Sequence, residues 1–432
     1  MEKYLEATLG RNLADIEDEL ELEKTDFWYS DDVHDAGTVN YDDLEINEPE
    51  ASTLPRVDIA LSKNYLLSKE YSDCHISLSN CEGYSLSKEP AQIRIRGNWT
   101  AAYEKKPFKI KFISGQGLFG SSPDKSWALL ANYMDGTQIH NYVAYDLYDY
   151  LTDGEKFTPI YRYVDLYIND VYIGVYALTD QISVGKDRVD INDKVGMSPA
   201  ETDYLVEQDY RLGEQEPEGE DVYWFWSRYN NITYSVKSPA NLGKRDLDYM
   251  RDYIDTVYVL AKLGEYEKVD SLIDIDSFID YFMTEDIIRN PDVAKASVFM
   301  CKRAGEKMEF PCIWDCDLTF GGLGIKAEGV ICQYNYLYSA LMEMPEFRAR
   351  YLDSFFERKD GIREHMDQKI EEAYETYGNE LANEYYNWEQ DNTEFMLPEM
   401  CGLEDYREEI DMMKEWLDTQ LTNLEYNYAA MY

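Results

Sequence analysis

Two hydrophobic rhythms run along the chain, and the change from one to the other divides it. From Leu54 to Phe112 apolar positions recur every second residue in short runs: Val57-Asp58-Ile59-Ala60-Leu61, His75-Ile76-Ser77-Leu78 and Gln92-Ile93-Arg94-Ile95-Arg96. Gly, Asn and Ser separate these runs, which predicts strands joined by turns. Lys109-Ile110-Lys111-Phe112 continues the alternation, setting both lysines on one face of a strand and Ile110 and Phe112 on the other. Ile139, Val143 and Leu147 then repeat at helical spacing and predict a helix over Gln138 to Leu151. Two further strands follow, Tyr163 to Ile168 and Val171 to Leu178, with Asn169-Asp170 as the hairpin turn between them.

Beyond this point the pattern turns helical. Tyr204-Leu205-Val206-Glu207 reads as a strand, an acidic loop runs from Gly213 to Asp221, and a strand pair surrounds Tyr223 to Val236. Leu247 to Leu263 and Ser277 to Ile288 read as amphipathic helices, the second with Asp276 as its expected cap. Pro291 disfavours helical backbone at Asn290, so that helix stops and Asp292 falls on the loop after it. Ser339 to Met431 reads as acidic, aromatic helices. The expected fold class is α+β, in three parts: an acidic accessory segment over 1–53, with a helix through Leu5, Leu9, Leu13, Ile16 and Leu20; a β-rich lobe over 54–182; and a mainly helical lobe over 183–432. Strands, one helix and two strands is the order of a protein-kinase small lobe, and 432 residues suit two lobes better than one core.

Charge narrows the partners. With 86 acidic residues against 41 basic ones, the net charge of -45 opposes nucleic acid and anionic lipid and favours a basic protein partner. The first fifty residues carry 17 acids against three bases and no apolar stretch of a signal peptide, and no run reaches the roughly 20 apolar residues of a membrane-spanning helix. Seven cysteines spread over the chain imply reduced thiols, and Cys312 with Cys316 lacks a second Cys or His pair for zinc. Cys316 is expected to fill a buried gap between two functional acids.

The candidate chemistry lies in Asn290-Pro291-Asp292 and Trp314-Asp315-Cys316-Asp317, followed by Gly321-Gly322. A carboxylate on a loop after a helix, two strand-like runs, then an acidic pair before glycines is how kinases place a catalytic base and a metal ligand. Asp292 is the candidate base, and Asp315 and Asp317 are candidate metal ligands, because magnesium favours one or two protein carboxylates with water and phosphate oxygens. Five bases stand between 96 and 111 against one acid, Glu104, in an otherwise acidic chain. Arg96 and some of Lys105, Lys106, Lys109 and Lys111 are therefore the candidate phosphate side. Gly115-Gln116-Gly117-Leu118-Phe119-Gly120 fits a G-x-G-x-x-G pattern but opens no helix and follows the lysines, so it is read as a turn.

These residues resemble the CotH kinase family, the spore-coat protein H group. The resemblance rests on ordered blocks: Ile95-Arg96-Gly97-Asn98, Lys105-Lys106-Pro107-Phe108-Lys109-Ile110-Lys111-Phe112, Trp127 to Asp135, Asn169 to Tyr176 with Asp180-Gln181-Ile182, Tyr204 to Glu207, Asn290-Pro291-Asp292 and Trp314 to Asp317. It implies an atypical protein-kinase-like, bilobal fold that uses ATP with Mg2+ or Mn2+ to phosphorylate Ser or Thr of a partner protein, often outside the cytoplasm. Carried over by position, Asp292 looks like the catalytic aspartate, Asp315 or Asp317 like the metal aspartate, and Arg96, Lys106, Lys109 and Lys111 like the phosphate side. The chain departs from the family at Trp99-Thr100, His140 and Asp180, and from kinases generally at Ser297, where an Asn holds a second metal. Two other readings stand beside phosphorylation: a non-catalytic binding or surface-adhesion module, and transfer of another group such as AMP or glutamate.

Overall fold

A computed structural model of the chain describes residues 36–213, 223–229, 232–388 and 405–432. The first helix expected through Leu5 to Leu20 and most of the acidic loop after Gly213 lie outside the described residues. The architecture is α+β. Strands β1 (Arg56–Ala60), β2 (Ser72–Cys81), β3 (Tyr84–Ile95), β4 (Phe108–Gln116), β5 (Asp124–Leu130), β6 (Tyr161–Ile168) and β7 (Val171–Asp180) close into a barrel in the order β1-β2-β3-β4-β5-β7-β6. The expectation was a two-lobed kinase arrangement with a β-rich small lobe; a closed barrel stands there instead. The cause is the parallel pairing of β1 with β6, Val57 opposite Leu166 and Ile59 opposite Ile168, which occupies the edge that each strand would otherwise leave open.

Period-two alternation fills the barrel. Val57, Ile76, Ile93, Phe108, Ile110, Trp127, Leu166 and Leu178 belong to one buried core. Lys109 and Lys111 face outward as the alternation predicts, with Lys109 opposite Arg94 on β3 and Ala128 on β5. Asn169 and Asp170 both take left-handed backbone, φ 48° and 68°, the geometry of a type I′ turn matched to the twist of β6 and β7. Tyr161, Tyr163, Val175 and Ala177, on the outer face of β6 and β7, belong instead to a second core that includes helix α1 (His140–Leu151).

That second core also holds a five-stranded sheet and the helices. The sheet runs β12-β11-β8-β10-β9, from β8 (Tyr204–Gln208), β9 (Tyr223–Trp226), β10 (Thr233–Ser238), β11 (Val298–Lys302) and β12 (Met308–Glu309). Around it lie α2 (Lys244–Lys262), α3 (Tyr266–Leu272), α4 (Ile275–Ile288), α5 (Tyr336–Glu343), α6 (Pro345–Asn387) and α7 (Tyr406–Ala429). Asp274, not the expected Asp276, caps α4: its side chain accepts from the Ser277 amide. Buried Asp286 on α4 ties α6 and α7 together by accepting from the hydroxyls of Tyr351 and Tyr428 at 3.0 and 2.7 Å. No described helix is long and apolar enough to cross a membrane.

One buried ion pair joins the barrel to α6. Lys105 Nζ donates to the carbonyls of Ala131 and Val175, at 2.8 and 2.6 Å, and pairs with Glu384, whose other oxygen accepts from the Val175 amide at 2.7 Å. Both side chains are fully buried. Removing one partner leaves a buried charge uncompensated, whereas replacing both by apolar groups does not. Lys105→Met and Glu384→Leu are each expected to cost about 3–5 kcal/mol in urea unfolding, and the double variant to recover most of that loss. Additive losses would contradict the pairing.

Candidate active site

Helix α4 delivers Asp292 to its place. The helix ends at Arg289 in left-handed conformation, φ 52°, and Asn290 then caps a short 3-10 turn, Pro291–Ala294, by accepting from the Asp292 amide at 3.0 Å. The Asp292 side chain is 19% exposed, so the carboxylate is open at one side only. Burial and the neighbouring Asp315 carboxylate push its pKa up to about 6, against the pull of Lys295 and Arg211. Beneath it, fully buried Glu285 is pushed up to about 8 by burial.

Asp315 and Asp317 come from the segment after β12. Asp315 has φ 64° and Ser297, just before β11, has φ 58°, a region that non-glycine residues enter at about 1–3 kcal/mol. These two strained residues touch: Ser297 Oγ donates to Asp315 Oδ2 at 3.2 Å. Cys316 is buried between the acids, as expected, and its amide donates to Asn141 Oδ1 at 2.9 Å. The Asp317 carbonyl lies 3.0 Å from His140 Nδ1, which must carry the proton there because a carbonyl oxygen only accepts. Asp135 in turn holds the start of α1, accepting from the His140 amide at 2.8 Å and from the Thr137 hydroxyl at 2.6 Å. Residues 132–141 thus brace the acidic segment from the barrel side.

The three carboxylates interact through space. Burial comes first in driving the Asp317 pKa well above the ordinary carboxylate range, followed by repulsion from Asp315, Asp292 and Asp135. Among the described residues no three His, Cys, Asp or Glu side chains form a ready-made metal cage. A hard divalent ion needs no such cage, since one or two carboxylates with water and phosphate oxygens complete its shell. The Asp315 and Asp317 pair has the donor chemistry for such an ion, and the burial of Asp317 beside the Asp315, Asp292 and Asp135 carboxyls is what fits one. Cys312 and Cys316 are free and buried, with no zinc-binding set among the described residues.

The predicted phosphate side is split. Arg94, Arg96, Lys109 and Lys111 form an outward-facing stripe on β3, β4 and the turn between them; burial, then Arg94, Arg96 and Lys111, hold the Lys109 ammonium down at about 8. Among the described residues Arg96, Lys109 and Lys111 make no ion pair. Lys106 turns the other way, buried, with its ammonium 2.8 Å from the Ala101 carbonyl. Lys105 is committed to Glu384, as described above. No ion pair joins the stripe to the carboxylates among the described residues. The cations that Asp292 feels are two that the sequence did not single out, Lys295 at 3.8 Å and Arg211, the latter paired with Asp209 at 2.7 Å. Lys295 stands three residues after Asp292, a spacing visible in the sequence; Arg211 carries no such signal.

A family model described as CotH kinase protein matches residues 93–424. No curated protein matches the chain.

A carboxylate with a raised folded-state pKa stabilises the fold below its unfolded pKa near 3.9, and that contribution is lost as pH rises through the folded value of about 6. Ionised Asp292 therefore opposes folding at neutral pH. In metal-free buffer Asp292→Asn is expected to be more stable than the parent by about 2 kcal/mol at pH 8, with the advantage vanishing near pH 4. Urea denaturation at both values checks this; an equal difference at the two would contradict it.

Proposed function

The chain belongs to the CotH kinase protein family, and from that premise we propose that it transfers the γ-phosphoryl group of ATP to Ser or Thr of a partner protein, with Mg2+ or Mn2+. In this reading the barrel half and the helical half act as the two lobes of an atypical kinase-like fold. The observation that carries the proposal is the gathering of Asp292, Asp315 and Asp317, whose mutual repulsion has no purpose in a fold that binds nothing there.

In the proposed reaction Asp292 accepts the proton of the acceptor hydroxyl as its oxygen bonds to the γ-phosphorus, and the bond to the β,γ-bridging oxygen breaks with its electron pair leaving on ADP. Asp292 is suited to that role because it is open to solvent on one side and ionised at neutral pH. Asp315 and Asp317 would hold the divalent ion, which supplies neutralisation of phosphate charge when bound. The braces from Asn141 and His140 keep the backbone of that segment in place, and Ser297 orients one Asp315 oxygen. Arg96, Lys109 and Lys111 remain the proposed contacts to the phosphate tail; Lys106, turned to Ala101, fits that role least.

The net charge of -45 favours a basic, Ser-containing substrate segment, whose attraction weakens as salt screens it. Incubation with radiolabelled ATP, Mg2+ or Mn2+ and such a peptide is expected to give incorporation that falls about a thousandfold in Asp292→Ala. The rate should decline as pH drops below about 6, where Asp292 takes up its proton. Label transfer unaffected by Asp292→Ala would refute the assignment. Thermal stabilisation by nucleotide without any transfer would favour a binding module, and a mass increment of AMP or glutamate on the partner would identify another group.

A further inference from the structure

Lys295 is placed by the same turn that places Asp292. Asp292 lies in the 3-10 turn and Lys295 is the residue that closes it: the Lys295 and Ala296 amides both donate to the Asp292 carbonyl, at 2.8 and 2.9 Å, and Lys295 Nζ stands 3.8 Å from Asp292 Oδ1. That separation is longer than a hydrogen bond. The two side chains are exposed to the same small degree, 20% and 19%.

A second element fixes the lysine. The Tyr210 amide donates to the Lys295 carbonyl at 3.0 Å, and the Lys295 ammonium lies 5.6 Å from the centroid of the Tyr210 ring. Arg211 approaches the same ring at 5.8 Å and pairs with Asp209 at 2.7 Å. Lys295 therefore stands between the proposed base and an aromatic wall, in a site whose other charged groups are mostly carboxylates. Placed there, a cation neutralises whatever anion docks against Asp292.

We propose that Lys295 is a further catalytic residue, its ammonium binding the non-bridging oxygens of the γ-phosphoryl group as that group passes to the acceptor beside Asp292. This rests on the kinase reading above. Lys295 keeps its proton throughout; the acceptor proton goes to Asp292, and the leaving electron pair goes to ADP. Because ADP lacks the γ-phosphoryl group, the assignment makes Lys295 distinguish the two nucleotides, which a purely structural lysine would not do.

The test compares the parent chain with Lys295→Met and Lys295→Arg. ATP and ADP affinities are measured by titration calorimetry with Mg2+, alongside single-turnover transfer to a basic serine peptide and urea unfolding to confirm folding. Lys295→Met should weaken ATP binding about tenfold with ADP binding unchanged, and slow transfer roughly a hundredfold. Lys295→Arg, which keeps the charge, should fold as the parent does and recover part of both. Equal loss of ATP and ADP affinity, or transfer at the parent rate in Lys295→Met, would overturn the assignment while leaving the kinase reading intact. A parent chain that binds neither nucleotide would overturn both.

Discussion

Like charges gathered out of water are the constraint on which this site depends. Asp292, Asp315 and Asp317 come from two separate segments, yet burial and then the Asp315 carboxylate raise the pKa of Asp292, and burial and then Asp315, Asp292 and Asp135 raise that of Asp317. Such a cluster persists only where the scaffold over-determines it. Here that scaffold is the cap of Asn290 on the Asp292 amide, the left-handed backbone at Ser297 and Asp315, and the hold of Asn141 and His140 on residues 316 and 317. Repulsion of this kind is relieved by a cation or by protons.

The barrel serves this arrangement from the opposite side. Its outer face carries Arg94, Lys109 and Lys111, while the face formed by β6 and β7 packs against α1, the helix whose first residues grip the acidic segment. The Lys105–Glu384 pair then fastens the barrel to α6. A cationic stripe and a carboxylate cluster thus sit on two bodies of secondary structure with separate hydrophobic cores, linked through α1 and one buried ion pair.

Local pattern carried much of this into the sequence. The outward lysines, the Asn169-Asp170 turn, the helix after Gln138 and the loop position of Asp292 follow from periodicity, turn chemistry and the restriction that proline imposes on its predecessor. What depends on distant pairing was not legible. Closure of the barrel rests on β1 lying parallel to β6, which neither strand's alternation encodes. Lys105 stands in the same basic block as Lys106 and Lys109, and its pairing with Glu384, on a helix far along the chain, was not legible there. Asp276 was the expected cap of α4, and Asp274, two residues earlier, takes that place instead. Arg211 reaches the site because β8 lies beside β11, the strand that follows Asp292.

The most direct measurement of the central claim is proton release on ligand binding. Calorimetric titration of the parent chain with Mg2+–ATP at pH 6.5, repeated in buffers of different ionisation enthalpy, counts protons lost or gained. If repulsion among the carboxylates holds protons that a bound cation displaces, binding is accompanied by net release, and the release shrinks when Asp317 is replaced by Asn. Binding with no buffer dependence, or with proton uptake, would contradict the account.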